Sequence, residues 1–521
     1  MKNLIALFIM IAGACFGARP NILFIFSDDH ALRTIGAYKG SINKTPHLDR
    51  IANEGALFTR SFVINSICCP SRAAIMTGKH SHANGITGNS SHWNGHQYVY
   101  MRDLAKAGYQ TSLIGKWHLK GDPTDEFQHW DILSGKGGQG SYFNPEFKTA
   151  GGITRVEGHS TEIITNKTLD WLRQRDQKKP FLLCAQYKVP HIHRIPAPAF
   201  MGNYDDMDFP VPETLFDDYS TRQPFVKDTW MALKGMKGDV LNIGPTAEEA
   251  RNNPQAMPRF LKEMSPHQRA AWHTHYDPRN LAYRTMNLQG KEAVIYTYQR
   301  FIKDYVRTID GLDHHVGRLL DYLDNNGLAD NTIVVYASDQ GFLTGEHGWA
   351  EKRWMYEECF RYPLLMRWPG TIKPGTIISA LTQNIDLAPT FLTAAGLPVP
   401  KEVHGVPMQP VLNGATPANW RKEVLYTYYD GGIPERRGAY NMPRHEGVRN
   451  DRYKLISFYD HQAYEFYDLK NDPQEMKNQF NNPEFQPIIQ KMKKRLTQLK
   501  ANFGIPPHKP LISKKKKPNQ S

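Results

Sequence analysis

Two apolar runs that end abruptly in carboxylates constrain the fold of this chain more than any other feature. One is "NILFIFSDDH" (21–30), which stops at Asp28 and Asp29; the other, far downstream, is "TIVVYASDQG" (332–341), which stops at Asp339 and Gln340. Unbroken runs rich in β-branched residues suit strands buried on both faces of a parallel or mixed sheet. Polar residues just past such strands lie at their carboxyl ends, where α/β folds place their sites.

Further strands are expected at "TSLIGKW" (111–117) and "PFLLCAQYKVPH" (180–191), and helical spacing runs through 296–327 to a stop at Gly327. The alternation predicts an α/β architecture. After "AAGLPVP" (394–400) the pattern changes. "VLYTYYD", "HEGVRNDRYKLISFY" and "AYEFYDL" read as an antiparallel sheet, followed by a helix near 485–503. The expected organisation is a main domain at 19–400 and a smaller C-terminal subdomain at 401–510. Segment 203–287, rich in Pro, Met, Trp, Asp and Asn with little periodicity, reads as an insertion or lid near the substrate.

Residues 1–18 have a positive start at Lys2, an apolar stretch from Leu4 to Ala12 and then small residues, the build of a secretory signal peptide. A buried first strand is the structural alternative, and a lipoprotein anchor on Cys15 is a minor one. The expected location is therefore secreted or periplasmic, with no later segment apolar enough to span a membrane. Removal of Cys15 leaves Cys68, Cys69, Cys184 and Cys359, too few for a disulfide scaffold in a chain of this length. Lys plus Arg number 64 against 51 Asp plus Glu, a formal charge of +13, part of it in the basic tail at 511–521 (Lys514 to Lys517). This balance favours polyanionic partners, and secretion argues against nucleic acid among them.

Adjacent carboxylates at a strand end repel unless a cation neutralises them. Asp28, Asp29, Asp339 and the amide oxygen of Gln340 form a hard, all-oxygen set that suits calcium first and magnesium second. A turn or helix cap is the plainer reading of Asp28-Asp29 taken alone.

The stretch "CCPSRAAIMTG" (68–78) resembles the C-x-P-S-R-x-x-x-x-T-G signature of the formylglycine-dependent (type I) sulfatases. "NILFIFSDDH", "GKWHLKG", "KVPHIH", "SDQGFLTGEHGWAEKRWMYEE" and "YDLKNDPQE" appear in that family's order, so the resemblance covers nearly the whole mature chain. It implies an alkaline-phosphatase-like α/β fold, a large mixed sheet flanked by helices with a smaller C-terminal antiparallel-sheet-plus-helix subdomain. It also implies that a maturation enzyme oxidises Cys68 to formylglycine, whose hydrated aldehyde attacks sulfur and then expels sulfate. Carried over by position, the metal ligands are Asp28, Asp29, modified Cys68, Asp339 and Gln340, the last where the family commonly has Asn or His. Arg72 steadies the modified residue, and Lys116 and Lys352 hold the sulfuryl oxygens. His118 assists the second hydroxyl, and His191 protonates the leaving alkoxide. His193, Arg194 and His347 are weaker candidates for substrate contacts. Cys69 and Cys184 read as small buried hydrophobes, and Cys359 has no assigned role.

The resulting expectation is hydrolysis of sulfate from a sulfated carbohydrate, of glycosaminoglycan or marine algal type. The Cys-Cys-Pro-Ser-Arg form resembles sulfatases acting on N-acetylglucosamine 6-sulfate and also polysaccharide sulfatases of marine bacteria. The alternatives are an arylsulfatase, a phosphoester or phosphonate hydrolase of the same superfamily, and an inactive protein that binds sulfated glycans.

Overall fold

The computed structural model describes residues 19–228, 232–431 and 442–508. The expected signal peptide with Cys15 and the basic tail lie outside these residues. Among them, no helix is long and apolar enough to cross a membrane.

The two acid-tipped runs form the strands Asn21–Ser27 and Thr332–Ser338, which pair in parallel at the centre of a ten-stranded mixed sheet. Named by first residue, the order across the sheet is Thr376, Ala56, Leu364, Thr332, Asn21, Phe181, Gln110, His129, Glu146, Gly152. Every residue of both central strands is buried. Their side chains alternate between two cores. Ile22, Phe24, Phe26, Ile333 and Val335 enter one, and Leu23, Ile25, Val334 and Tyr336 enter the other. Each such side chain contributes about 1.5–3 kcal/mol by leaving water, so this pair anchors the sheet.

The helix Gly290–Asn325 covers the second core with Leu312, Val316, Leu319 and Leu323 and ends just before Gly327, whose φ is +65°. From its middle, Asp313 accepts the backbone N–H groups of His47 (3.1 Å) and Leu48 (2.8 Å), capping the helix Pro46–Asn53 from another element.

The expected strands are present, but the one predicted over 111–117 ends at Gly115. The strand predicted over 180–191 stops at Gln186. Beyond it the Tyr187 N–H still donates to Phe26, but His191 N–H folds back onto Lys188, so the chain turns into the site. Segment 203–287 carries the helix Pro266–Thr285 despite its weak periodicity. Its buried positions are Gln268, Trp272, Tyr276 and Asn280, correctly spaced by four but half of them polar, which blurs the hydropathy signal. Ser265 and Gln268 form a capping box at its start.

The C-terminal strands Glu423–Tyr428, His445–Asn450, Tyr453–Phe458 and Ala463–Asp468 form the expected antiparallel sheet. The helix Gln486–Asn502 packs Ile489, Met492 and Leu496 against it. Lys454, fully buried, ties this sheet to the main body through Glu357 (2.9 Å) and the Met355 carbonyl (2.7 Å).

Candidate active site

The parallel register decides where the acids go. Phe26 pairs with Ala337 and Ser27 with Ser338, so the chains leave the sheet side by side and Asp28-Asp29 emerges next to Asp339-Gln340. The Asp29 N–H donates to Asp339 Oδ1 at 3.1 Å. Two further parallel strands end at the same edge. Gly115 aligns with Gln186, so Lys116 and His118 follow one strand while Lys188 and His191 follow the other. A side chain at position 115 would collide with the Gln186 carbonyl, its Cβ only 2.0 Å away, and Gly115 avoids this. Asp29 (φ 68°) and His118 (φ 58°) both hold a left-handed backbone conformation, as functional loops often do.

Cys68 opens the helix Cys68–Thr77, every residue of which is buried. Each residue of the motif has a physical task. Pro70 sits in the first turn, where its missing N–H has no intrahelical partner to lose. The Ser71 hydroxyl donates to the Asp339 carbonyl, joining the helix to the second acid-tipped strand. Arg72 Nη1 donates to Lys116 O (2.9 Å) and Gln186 Oε1 (2.8 Å), while Nη2 lies 3.3 Å from Asp339 Oδ2 and the guanidinium stacks over Phe26. Gly78 ends the helix in the left-handed conformation (φ 65°) and donates to Ala74 O.

The Cys68 sulfur lies 3.0 Å from Lys352 Nζ and 3.4 Å from Asp28 Oδ1, at a helix N-terminus that favours negative charge. Burial pushes its thiol up to about 12, so an unmodified cysteine here is not a thiolate. Lys116 pairs with Asp28, and Lys352 donates to both oxygens of Asp29. Burial, assisted by the charges of Lys188 and Lys352, pushes the Lys116 ammonium well below the usual lysine range. Burial, with the Asp339 charge added, pushes the Asp29 carboxyl up even against Lys352. Carboxylates and ammoniums are thus crowded together, each kind disfavouring its own charge.

Asp28, Asp29 and Asp339 place carboxylate oxygens within 4.8 Å of one another, and Asp28, Cys68 and His191 do the same with their ligand atoms. Gln340 Oε1 is buried without a hydrogen-bond partner, and Asp339 Oδ2 has the Arg72 ion pair but no hydrogen bond. Three buried acids and a free amide oxygen fit a divalent cation, and the all-oxygen donor set is that of a hard ion.

His191 lies 4.0 Å from Asp29 Oδ2 through Nε2, with Nδ1 at 3.0 Å from the Ile192 carbonyl. Burial, then Lys116 and Lys352, pushes it well below the usual histidine range. The His118 ring is held at Nε2 by the Gln139 amide at 2.7 Å, and its Nδ1 is buried without a partner. Cys69 points away from Cys68, its sulfur 2.8 Å from the His118 carbonyl.

The weaker candidates separate. His193 lines a cavity of about 150 Å³ that begins at His191. Arg194 is buried among the rings of Phe301, Phe342 and Tyr305. His347 belongs to a different polar cluster, with Nδ1 2.9 Å from both Asp217 and Arg222. Three groups at the site escaped the sequence reading. Gln139 sits in the glycine-rich "GKGGQG", Tyr142 donates from its hydroxyl to the His191 carbonyl, and Lys188 was visible only as a cation past a strand end.

A family model described as sulfatase matches residues 20–397, and one described as N-sulphoglucosamine sulphohydrolase, C-terminal, matches residues 345–502. An N-acetylglucosamine-6-O-sulfatase of Bacteroides thetaiotaomicron is 42% identical over 486 residues, covering 92% of this chain and 85% of that protein. The human N-acetylglucosamine-6-sulfatase is 25% identical over 461 residues, covering 82% and 72%. A solved structure described as a complex with its substrate D-glucosamine-2-N,6-O-disulfate matches with a TM-score of 0.90 at 41% identity, covering 93% of this chain and 98% of that one. A phosphonate monoester hydrolase from Silicibacter pomeroyi shares the fold at 20% identity, with a TM-score of 0.68 and coverage of 93% and 95%.

Proposed function

This chain belongs to the sulfatase family, and from that premise we propose that it removes the 6-O-sulfate from glucosamine 6-sulfate units of a sulfated glycan. In this reading residue 68 is converted from cysteine to formylglycine by a maturation enzyme, and calcium is the cation. The carrying observation is the meeting of Cys68, Lys352 and Asp28 within 3.4 Å at a buried helix N-terminus, beside three clustered carboxylates. The choice of sugar is supported by the 42% identical relative, named for N-acetylglucosamine-6-O-sulfate.

The Cys68 thiol occupies the position that the formylglycine oxygen takes in the mature protein. When present, the hydrated aldehyde supplies the nucleophile and its own release step, and the cation, held by Asp28, Asp29, Asp339 and Gln340, supplies positive charge. The protein's own residues do the rest. Lys116 and Lys352 present two ammoniums to the sulfuryl oxygens, and an arriving anion relieves the mutual repulsion of the site's lysines. Arg72, fixed by two hydrogen bonds and a ring face, keeps the first turn of the helix rigid.

His191 serves as general acid through Nε2. Burial, then the nearby lysines, favours its neutral form; a negative substrate offsets those lysines, so Nε2 can carry a proton to the departing sugar oxygen. Gln139 Oε1 is buried without a partner. Turning its amide lets Oε1 accept from His118 Nε2–H and leaves Nδ1 as the base for the proton released with sulfate.

Phe260 and Glu263 of segment 203–287 line the cavity beyond His191, which supports a substrate-bordering role for that segment. The division into 19–400 and 401–510 and a secreted or periplasmic location complete the reading, the latter supported by the signal-peptide pattern of residues 1–18. The test is release of sulfate by the matured protein from glucosamine 6-sulfate, galactose 6-sulfate, an aryl sulfate and an aryl phosphate. The expected order places glucosamine 6-sulfate first, and higher kcat/KM on the aryl phosphate overturns the assignment.

A further inference from the structure

Lys188 is the odd lysine of the site. Lys116 and Lys352 each face a carboxylate. Lys188 is only 4% exposed, yet among the described residues its ammonium makes no ion pair or hydrogen bond and has the Tyr142 ring at 5.3 Å as its neighbour. A buried ammonium without a counter-charge is costly, and the structure keeps this one against a cavity rather than against protein. Burial, then the charge of Lys136, pushes it down to about 7, although Glu263 and Asp29 act the other way.

The cavity is positive overall. Lys136 lines it and lies 3.0 Å from Glu263 Oε2, but Glu263 also receives Arg259 at 2.9 Å, so one carboxylate is shared by two cations and forms no ion pair with Lys188. His191 belongs both to this cavity and to the cluster of Asp28 and Cys68. His191 thus borders both the cavity that Lys188 lines and the reacting centre.

We propose that Lys188, seconded by Lys136, receives a second anionic substituent of the sugar whose sulfate is cleaved, so that the enzyme selects N-sulfated over N-acetylated glucosamine 6-sulfate. The proposal rests on the glucosamine 6-sulfatase reading above. An N-sulfo group carries the charge Lys188 lacks, whereas an N-acetyl group leaves the ammonium desolvated and unpaired. The disulfated glucosamine named as substrate of the 41% identical solved structure carries such a group.

The test compares kcat/KM of the full-length, matured protein on N-sulfated and N-acetylated glucosamine 6-sulfate. The wild type is expected to prefer the N-sulfated sugar, and Lys188→Met is expected to lower that preference by about thirtyfold, the scale of one lost charge-assisted contact. Lys136→Met, nearer the cavity rim, should lower it less, and Lys188→Arg should restore part of it. An unchanged ratio in Lys188→Met overturns the proposal. Calorimetric binding of glucosamine N-sulfate against N-acetylglucosamine, neither bearing a 6-sulfate, reads the subsite without turnover. If no 6-sulfate is hydrolysed yet the N-sulfated sugar binds more tightly and loses that advantage in Lys188→Met, the sulfatase assignment to this sugar fails and the subsite stands. Equal binding of the two sugars by the wild type overturns the subsite whatever the activity.

Discussion

The Lys352 ammonium lies 3.0 Å from the Cys68 sulfur while donating to Asp29 at 2.6 and 2.9 Å. One lysine thus joins the first residue of the motif helix to an acid at the end of the central strand. Burial opposes its charge, yet Asp29 holds it above the usual lysine range. Replacing Lys352 by Met should lower kcat/KM by about 10²–10³, as for the loss of one preorganised charge at a developing oxyanion. Activity within a factor of three of wild type would remove Lys352 from the chemistry.

If Cys68 is the proposed formylglycine precursor, Cys68→Ala should abolish turnover and leave the fold intact. The sulfur is buried, so the expected stability loss is about 1 kcal/mol, the cost of a small cavity. Mass measurement of a peptide over residues 61–72 from the active protein should find an aldehyde in place of the thiol. A full complement of unmodified thiol in fully active enzyme contradicts the mechanism.

Removing divalent ions with a chelator should lower both activity and melting temperature. Calcium at about a hundredfold its Kd should return about 2.7 kcal/mol of stability, and magnesium less. Asp339→Asn should erase that calcium-dependent rise, since Asp339 brings one of the three clustered carboxylates. A calcium response that survives in Asp339→Asn places the ion elsewhere.

Gln139→Ala should cost about tenfold in kcat with a smaller change in KM, because Gln139 orients the His118 ring and is not itself a reacting group. Equal losses in substrate affinity would mark it as a binding residue.

Asp313 gives a pH signature to stability. Burial, opposed by the N–H donors of Leu48 and His47, raises its carboxyl to about 7 from an ordinary 3.8. Between these values the folded chain holds a proton that the unfolded chain has released. Its contribution is therefore present below about pH 4 and lost as pH rises through about 7, at no more than about 1.4 kcal/mol per pH unit. Asp313→Asn retains an acceptor oxygen for the helix and should flatten that slope in denaturant titrations. Parallel stability-pH curves for the two proteins would refute the shift.

Much of the architecture was legible in the chain because the central strands are buried on both faces and so carry an unbroken hydrophobic signal. The signature at 68–78 was legible as well, since its Cys, Pro, Ser, Arg, Thr and Gly are compressed into one segment. The helix Pro266–Thr285 was not, because Gln268 and Asn280 occupy buried positions that hydropathy treats as exposed. Nor was His347 separable from the site by sequence. It sits close in the chain to Lys352, but its backbone turn directs it to Asp217 and Arg222.

By itself, the sequence determined that acids stand at two strand ends and that a Cys-x-Pro-Ser-Arg motif lies at 68–72. Those are local properties, fixed by hydrophobic runs and by residue spacing. Only the tertiary structure decided how Asp29 and Asp339 meet, that Gln139 holds the His118 ring, and that among the described residues Lys188 forms no ion pair or hydrogen bond and lines a cavity. These facts depend on parallel register and on which strands become neighbours in the sheet. Pairing across hundreds of residues is set by the whole core, so no local pattern encodes it.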